Sequence, residues 1–172
     1  MKKEDKILVL GCGDSNLSED LYRDGFNDIT SNDYSSVVIN KMKEKCVEKT
    51  GMKWDVMDVH HMTYEDESFD VILDKGTLDA IICGDESSSN PEQALLEVNR
   101  VLKKNGVYIC ISYGMPEYRL DYFQSSSLKW KVVHISLRIL CFVLSYSCSQ
   151  IFLLYTVFPD GYRVLSSHLY LS

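Results

Sequence analysis

No two cysteines lie at CxxC spacing: Cys12, Cys46, Cys83, Cys110, Cys141 and Cys148 are scattered along the chain. That spacing excludes a zinc ribbon and a thioredoxin-type redox pair. It points to free thiols, most of them in the core, in a reducing compartment, the cytosol. The adjacent histidines of "VHHM", His60 and His61, diverge on a strand or loop, so no metal is expected. Basic runs are lacking too. The formal net charge of −7 leaves no global field to attract nucleic acid or anionic lipid. The opening "MKKEDKILVL" has too short an apolar stretch for a signal peptide. There is no internal repeat, and the single low-complexity patch, "DESSSNP" at 85–91, reads as a loop. What remains is a chain of 172 residues, long enough for one domain with a core.

The elements alternate. "KILVL" (6–10) is a short apolar run stopped by glycine, the signature of a buried strand. Leu17 to Arg23 reads as a helix capped by Ser15 or Asn16, with Gly25 beyond its end. "DITSND" (28–33) is a second strand. An amphipathic helix follows at 35–49, with Val38, Met42 and Cys46 at i, i+4 and i+8. "KWDVMDV" (53–59) and "SFDVILDKG" (68–76) are the third and fourth strands. The segment 91–106 predicts a helix, with Pro91 in its first turn, Leu95, Val98 and Leu102 on one face, and Gly106 after it. "VYICISYG" (107–114) is a fifth strand. Strand and helix in alternation predict an α/β fold: a doubly wound, mostly parallel sheet with helices on both faces.

In such a sheet, ligands sit beyond the carboxyl ends of the strands, at the switch point of strand order. Gly11 and Gly13 of "LGCGDSN" fall at such an end. Lacking Cβ atoms, they let the chain turn sharply and come close to a ligand. Asp33 ends the next strand, where a carboxylate can accept both hydroxyls of a ribose. A dinucleotide and an adenosine-type cofactor both satisfy this pattern, and a tight strand-to-helix turn alone would also use the glycines. The dinucleotide fingerprint needs a third glycine, and Asn16 stands in its place. Asp58 ends the third strand, where an acid can take the exocyclic amine of adenine. Asp74, Lys75 and Gly76 end the fourth, so polar groups converge on one edge. Cys12, between the glycines, reads as a small packed side chain rather than a nucleophile.

This ordered set resembles the class I S-adenosylmethionine-dependent methyltransferases. Four strings, "LVLGCGDSNLSEDLYRDGF", "DYSSVVINKMK", "DVMDV" and "SFDVILDKGTLDAI", are similar to the branch that includes the lysine methyltransferases of translation elongation factor 1-alpha. The resemblance covers about Lys6 to Val133, and "DKGTLDA" is its most specific string. It implies a Rossmann-like methyltransferase fold, S-adenosylmethionine as cofactor and a protein substrate of the elongation-factor type. It also implies cofactor contacts at Gly11, Gly13, Asp33, Tyr34, Asp58, Val59 and Lys75. Tyr34 would pack on the adenine, Lys75 would pin the cofactor carboxylate or brace the loop, and Asp74 would orient the acceptor amine or cap its strand. The Asn/Asp-Pro-Pro signature of amide- and adenine-methylating enzymes is missing: the string is Asp74-Lys75-Gly76.

Two departures stand out. Many class I enzymes carry an acid two positions before the first glycine, and here it is Val9. Relatives carry a Tyr/Trp-rich cover ahead of the first strand, where this chain has five residues before Lys6. A catalytically impaired, scaffold-like member of the fold is therefore the alternative to an active enzyme. A nicotinamide-dependent oxidoreductase is a third reading, opposed by Asn16. The whole of 1–172 reads as one domain: a family-like core at 6–135, an atypical apolar segment at 136–165, and a possible last strand at 166–172. A sixth strand is expected at 127–135. Ile139 to Phe158 carries no charge and has the length of a membrane span. Its serines, Gln150 and Thr156 lower its apolarity, and it reads instead as one or two buried strands or a helix in place of the usual C-terminal hairpin, with an aberrant segment that packs poorly as a third reading.

Overall fold

The computed structural model describes residues 1–84, 90–125, 127–128, 130–138 and 151–158. Its strands are β1 (Ile7–Leu10), β2 (Ile29–Asp33), β3 (Met52–Val56), β4 (Phe69–Lys75), β5 (Leu102–Ser112), β6 (Lys131–Arg138) and β7 (Ile151–Phe158). The helices are α1 (Leu17–Arg23), α2 (Ser36–Lys45), α3 (Thr77–Ile82), α4 (Pro91–Val101) and α5 (Leu120–Phe123). The sheet has seven strands in the order β3-β2-β1-β4-β5-β7-β6. β1 to β5 run parallel, and β7 lies antiparallel between β5 and β6. The chain leaves β1 toward β2 on one side and returns through β4 on the other. The switch point of the doubly wound fold is therefore the end of β1.

Alternation along the strands builds a core on each face. Ile7 and Val9 pack with Ile29, Val71, Leu73 and Ile109 beneath Ile39 and Met42 of α2. Leu8 and Leu10 pack with Ile72, Tyr108 and Cys110 on the opposite face, beneath Leu95 and Val98 of α4. Side chains such as Leu8, Ile29 and Ile72 are fully buried. Each contributes about 1.5–3 kcal/mol relative to an exposed position. Ser35 accepts from Val38 N to cap α2, and Asn90 accepts from Gln93 N to cap α4 ahead of Pro91.

The structure departs from the sequence pattern in places. α4 ends at Val101 rather than at 106, because Leu102 pairs with Phe69 and already belongs to β5. The next partners, Val71 and Val107, are out of step, so the polar stretch 103–106 is an irregular entry to the strand. The short helix α3, Thr77–Ile82, is an element the sequence reading did not assign. The antiparallel strand against β5 is Ile151–Phe158, drawn from the end of the charge-free run. The rest of that run, 139–150, lies outside the described residues, as do the expected last strand at 166–172 and most of the loop 85–91. No helix among the described residues is long and apolar enough to cross a membrane.

Candidate functional site

β1 is followed by two left-handed residues, Gly11 at φ 55° and Gly13 at φ 54°. The two glycines have different reasons. A Cβ on Gly11 would lie 2.4 Å from Thr77 Oγ1, so the first turn of α3 leaves no room for one. Thr77 Oγ1 donates to the Leu10 carbonyl across 2.7 Å, which holds that approach. A Cβ on Gly13 would meet no protein atom within 4 Å. Gly13 therefore borders open space at the switch point, where a ligand can come against bare backbone.

β2 supplies the acid. Asp33 is 8% exposed. Its Oδ2 accepts from Gly13 N at 2.9 Å and its Oδ1 from Ser35 N at 2.9 Å. An ionised carboxylate has about four lone-pair sites, so capacity remains on both oxygens for two further donors. A ribose diol offers two. Asn32 works beside it, accepting from Gly11 N at 3.0 Å. Tyr34, next in the chain, is 83% exposed, a ring presented to solvent beside the acid. Val56, paired in register with Asp33, is also exposed and adds apolar surface to this rim.

Beyond β3, Asp58 Oδ1 accepts from His60 N at 2.9 Å and faces His60 Nδ1 at 2.7 Å. The His60 amide first, and then its ring, hold the Asp58 carboxyl below the usual range. Val59 is buried in the core with Leu8, Met62 and Phe69, so its side chain is not at the surface. Lys75 ends β4 exposed, and its side chain has no hydrogen bond or ion pair among the described residues.

Asp74 is placed differently from the role expected of it. It is 1% exposed. Thr77 N donates to Oδ1 at 2.8 Å, Leu78 N to Oδ2 at 3.2 Å and Tyr108 OH to Oδ2 at 2.8 Å. Burial raises its pKa to about 6 against the pull of these donors. The carboxylate thus braces the start of α3 and, through Thr77, the Gly11 turn. It offers little to an acceptor amine from outside. Cys12 is buried between the glycines. Burial, and next the Asp33 charge, push its thiol up to about 12, which suits packing and not nucleophilic attack.

The arrangement thus gathers the Gly11–Gly13 turn, Asp33, Tyr34, Asp58 and Lys75 at the carboxyl edge of β1–β4, and leaves the Val59 side chain inside. Sequence reasoning missed Asn32, Ser35, Val56 and Thr77. Thr77 stood within the "KGTLD" string, but its contact to Gly11 is made across 66 residues. A cavity of about 360 Å³ lies elsewhere, between the 60–64 loop and α4, and contains none of the residues expected to hold a cofactor. Within it Arg100 is already engaged, donating to the carbonyls of Met62 and Tyr64 and pairing with Glu97. Among the described residues no group of three or more His, Cys, Asp or Glu is arranged to hold a metal.

Residues 1–146 match the model of a methyltransferase domain family. The chain is 38% identical over 139 residues to the EEF1A lysine methyltransferase 4 of Mus musculus, covering 76% of this chain and 54% of that one. It is 45% identical over 139 residues to the eEF1A lysine and N-terminal methyltransferase of Homo sapiens, covering 79% of this chain and 19% of that one. The chain therefore spans about half the length of the first of these relatives and about a fifth of the second. Among solved structures, a SAM-dependent methyltransferase from Methanosarcina mazei superposes with a TM-score of 0.66 at 16% identity, over 91% of this chain and 92% of that one. The CurJ carbon methyltransferase gives 0.68 at 13% identity, over 91% of this chain and 49% of that one. At such identities the likeness speaks for the fold alone.

Proposed function

This chain belongs to the methyltransferase domain family, and on that premise we propose that it uses S-adenosylmethionine to methylate a lysine of a protein of the elongation factor 1-alpha type. The observation that carries the cofactor half is the Asp33 carboxylate, fixed by the amides of Gly13 and Ser35 beside an open left-handed turn. The names of the relatives support the substrate half.

In this reading the residues divide the labour. Gly13 lets the cofactor lie against the backbone, and Asp33 accepts the ribose hydroxyls as charge-assisted hydrogen bonds. Tyr34 covers one face of the adenine with its exposed ring. Asp58 takes the exocyclic amine with the oxygen that His60 leaves open. Lys75, exposed at the end of β4, would offer a cation to the carboxylate of the methionine end. The bound cofactor supplies a methyl group on a sulfonium, whose leaving group is a neutral thioether. The protein therefore has mainly to align donor and acceptor, an effect worth about 7–11 kcal/mol at best. An acceptor lysine must lose its proton, and an apolar, desolvating approach lowers its pKa toward that state. Asp74 is a positioning residue here, acting through Thr77 on the Gly11 turn.

The test is transfer of labelled methyl from S-adenosylmethionine to purified elongation factor 1-alpha, with the modified residue mapped by mass spectrometry. Methyl-lysine at a defined position is expected. A folded, cofactor-binding chain that leaves every lysine unmodified contradicts the substrate assignment.

A further inference from the structure

β5 ends at Ser112, on the same edge as Gly13, Asp33 and Lys75, and the chain then runs through residues 113–119 before α5. That segment is held by a compact polar knot. Asp79, in the first turn of α3, accepts from Ser112 Oγ at 2.6 Å, from Tyr113 N at 2.8 Å and from Arg119 Nε at 3.0 Å. Ser112 Oγ in turn accepts from Gly114 N at 3.0 Å. The Arg119 and Asp79 side chains are 10% and 15% exposed, so this is a nearly buried ion pair with its partners satisfied. Gly114 closes the knot by steric fit. A Cβ there would lie 2.3 Å from Arg119 Nε and 2.4 Å from Cζ, so the guanidinium is laid flat against its backbone. On the outside of the same loop, Tyr113, Met115 and Tyr118 are 60%, 57% and 70% exposed. Three large side chains are thus turned outward, with Glu117 exposed among them, while Ser112 and Arg119 are tied inward to Asp79.

We infer that Arg119, paired with Asp79 and seated on Gly114, is a positioning residue that sets the 113–118 loop as the lip of the site on the acceptor side. This rests on the methyltransferase reading above. The ion pair joins the loop after β5 to α3, and α3 is the helix whose first turn braces Gly11 and follows Lys75. One knot therefore fixes the distance between the cofactor edge and the surface that Tyr113, Met115 and Tyr118 present. Nothing in it touches the ribose side of the site, which is built on β1, β2 and β3.

Arg119→Lys keeps the charge but loses the flat guanidinium, Arg119→Met loses both, and Gly114→Ala keeps Arg119 and pushes it off its seat. All three should bind S-adenosylmethionine within about threefold of wild type by calorimetry, while kcat/KM for purified elongation factor 1-alpha falls at least tenfold. Arg119→Lys should recover part of the loss seen in Arg119→Met. Amide hydrogen exchange at Tyr113 and Gly114 should quicken at least tenfold in Arg119→Met, with Ile109 and Cys110 in β5 unchanged. Unchanged exchange at Tyr113, or acceptor kinetics equal to wild type, overturns the inference. So does a loss of cofactor affinity as large as the loss in acceptor kinetics. A wild-type chain that transfers no methyl sinks the substrate assignment instead, and the exchange measurement still decides the knot.

Discussion

The amide of Gly13 donates to the carboxylate of Asp33 across 2.9 Å, joining the turn after β1 to the acid that ends β2. The neighbouring Gly11 faces protein rather than open space. That contrast separates the two glycines in a mutational test. Both sit at positive φ, where an L-residue costs about 1–2 kcal/mol. Gly11→Ala adds a clash with Thr77, worth about a further 1–3 kcal/mol. Urea unfolding should therefore show Gly11→Ala well below Gly13→Ala in stability. Titration should show Gly13→Ala losing cofactor affinity beyond its cost in stability. Equal losses of stability would contradict the assignment of Thr77 as the group that demands Gly11.

Asp74 makes stability depend on pH with an unusual sign. Its folded pKa of about 6 lies above the ordinary 3.8. The folded chain thus holds the proton more tightly than the unfolded one between those values. Stability from this group is fully present below about pH 4 and is lost as pH rises through about 6, a total of about 3 kcal/mol. Asp74→Asn keeps an acceptor for the amides of Thr77 and Leu78, and the Tyr108 hydroxyl can turn to accept from the new amide. Denaturant unfolding at pH 4 and pH 7 should show the wild type losing stability relative to Asp74→Asn over that interval. A difference between the two that stays flat with pH would refute the buried-proton account.

Cysteine reactivity gives an independent check on the turn. Cys12 is buried and its thiol is pushed up to about 12, whereas Cys83 is exposed just past α3. At pH 8, a limiting maleimide should label Cys83 and spare Cys12, as read by peptide mapping. Saturating S-adenosylmethionine should leave that order unchanged. Labelling of Cys12 at the rate of Cys83 would mean that the turn opens.

The polar edge at the ends of β1, β2 and β4 was legible in the sequence because it is made by local patterns. "VLGCG" ends an apolar run, "SND" puts an acid at the end of β2 and "LDKG" does the same for β4, whereas the third strand, expected to run to residue 59, stops at Val56 and leaves Asp58 in the turn beyond it. Each needs only a strand, a stop and a polar residue. The burial of Val59 was not legible, because β3 stops at Val56 and the turn beyond it, rather than strand alternation, carries Val59 into the core. Nor was the role of Asp74, whose partners Thr77, Leu78 and Tyr108 include one 34 residues away. The helix α3 sets Leu78, Ile81 and Ile82 at i, i+3 and i+4 against one core, but over only six residues, and Asp74 holds its first turn from below. The knot of Asp79, Ser112 and Arg119 spans 40 residues and carries no spacing signal at all.

On the proposed reading, the Asp33 side of the turn holds the ribose of S-adenosylmethionine. Calorimetric titration of the purified chain with that cofactor, beside Asp33→Ala, tests it most directly. Removing a charge-assisted contact should cost about 1.5–3 kcal/mol, roughly a tenfold to hundredfold rise in Kd. Micromolar binding by the wild type that weakens by that factor in the variant is the predicted result. A folded wild type that takes up no cofactor, or an Asp33→Ala variant that binds it as tightly as wild type, would contradict the account and favour a scaffold role for the fold.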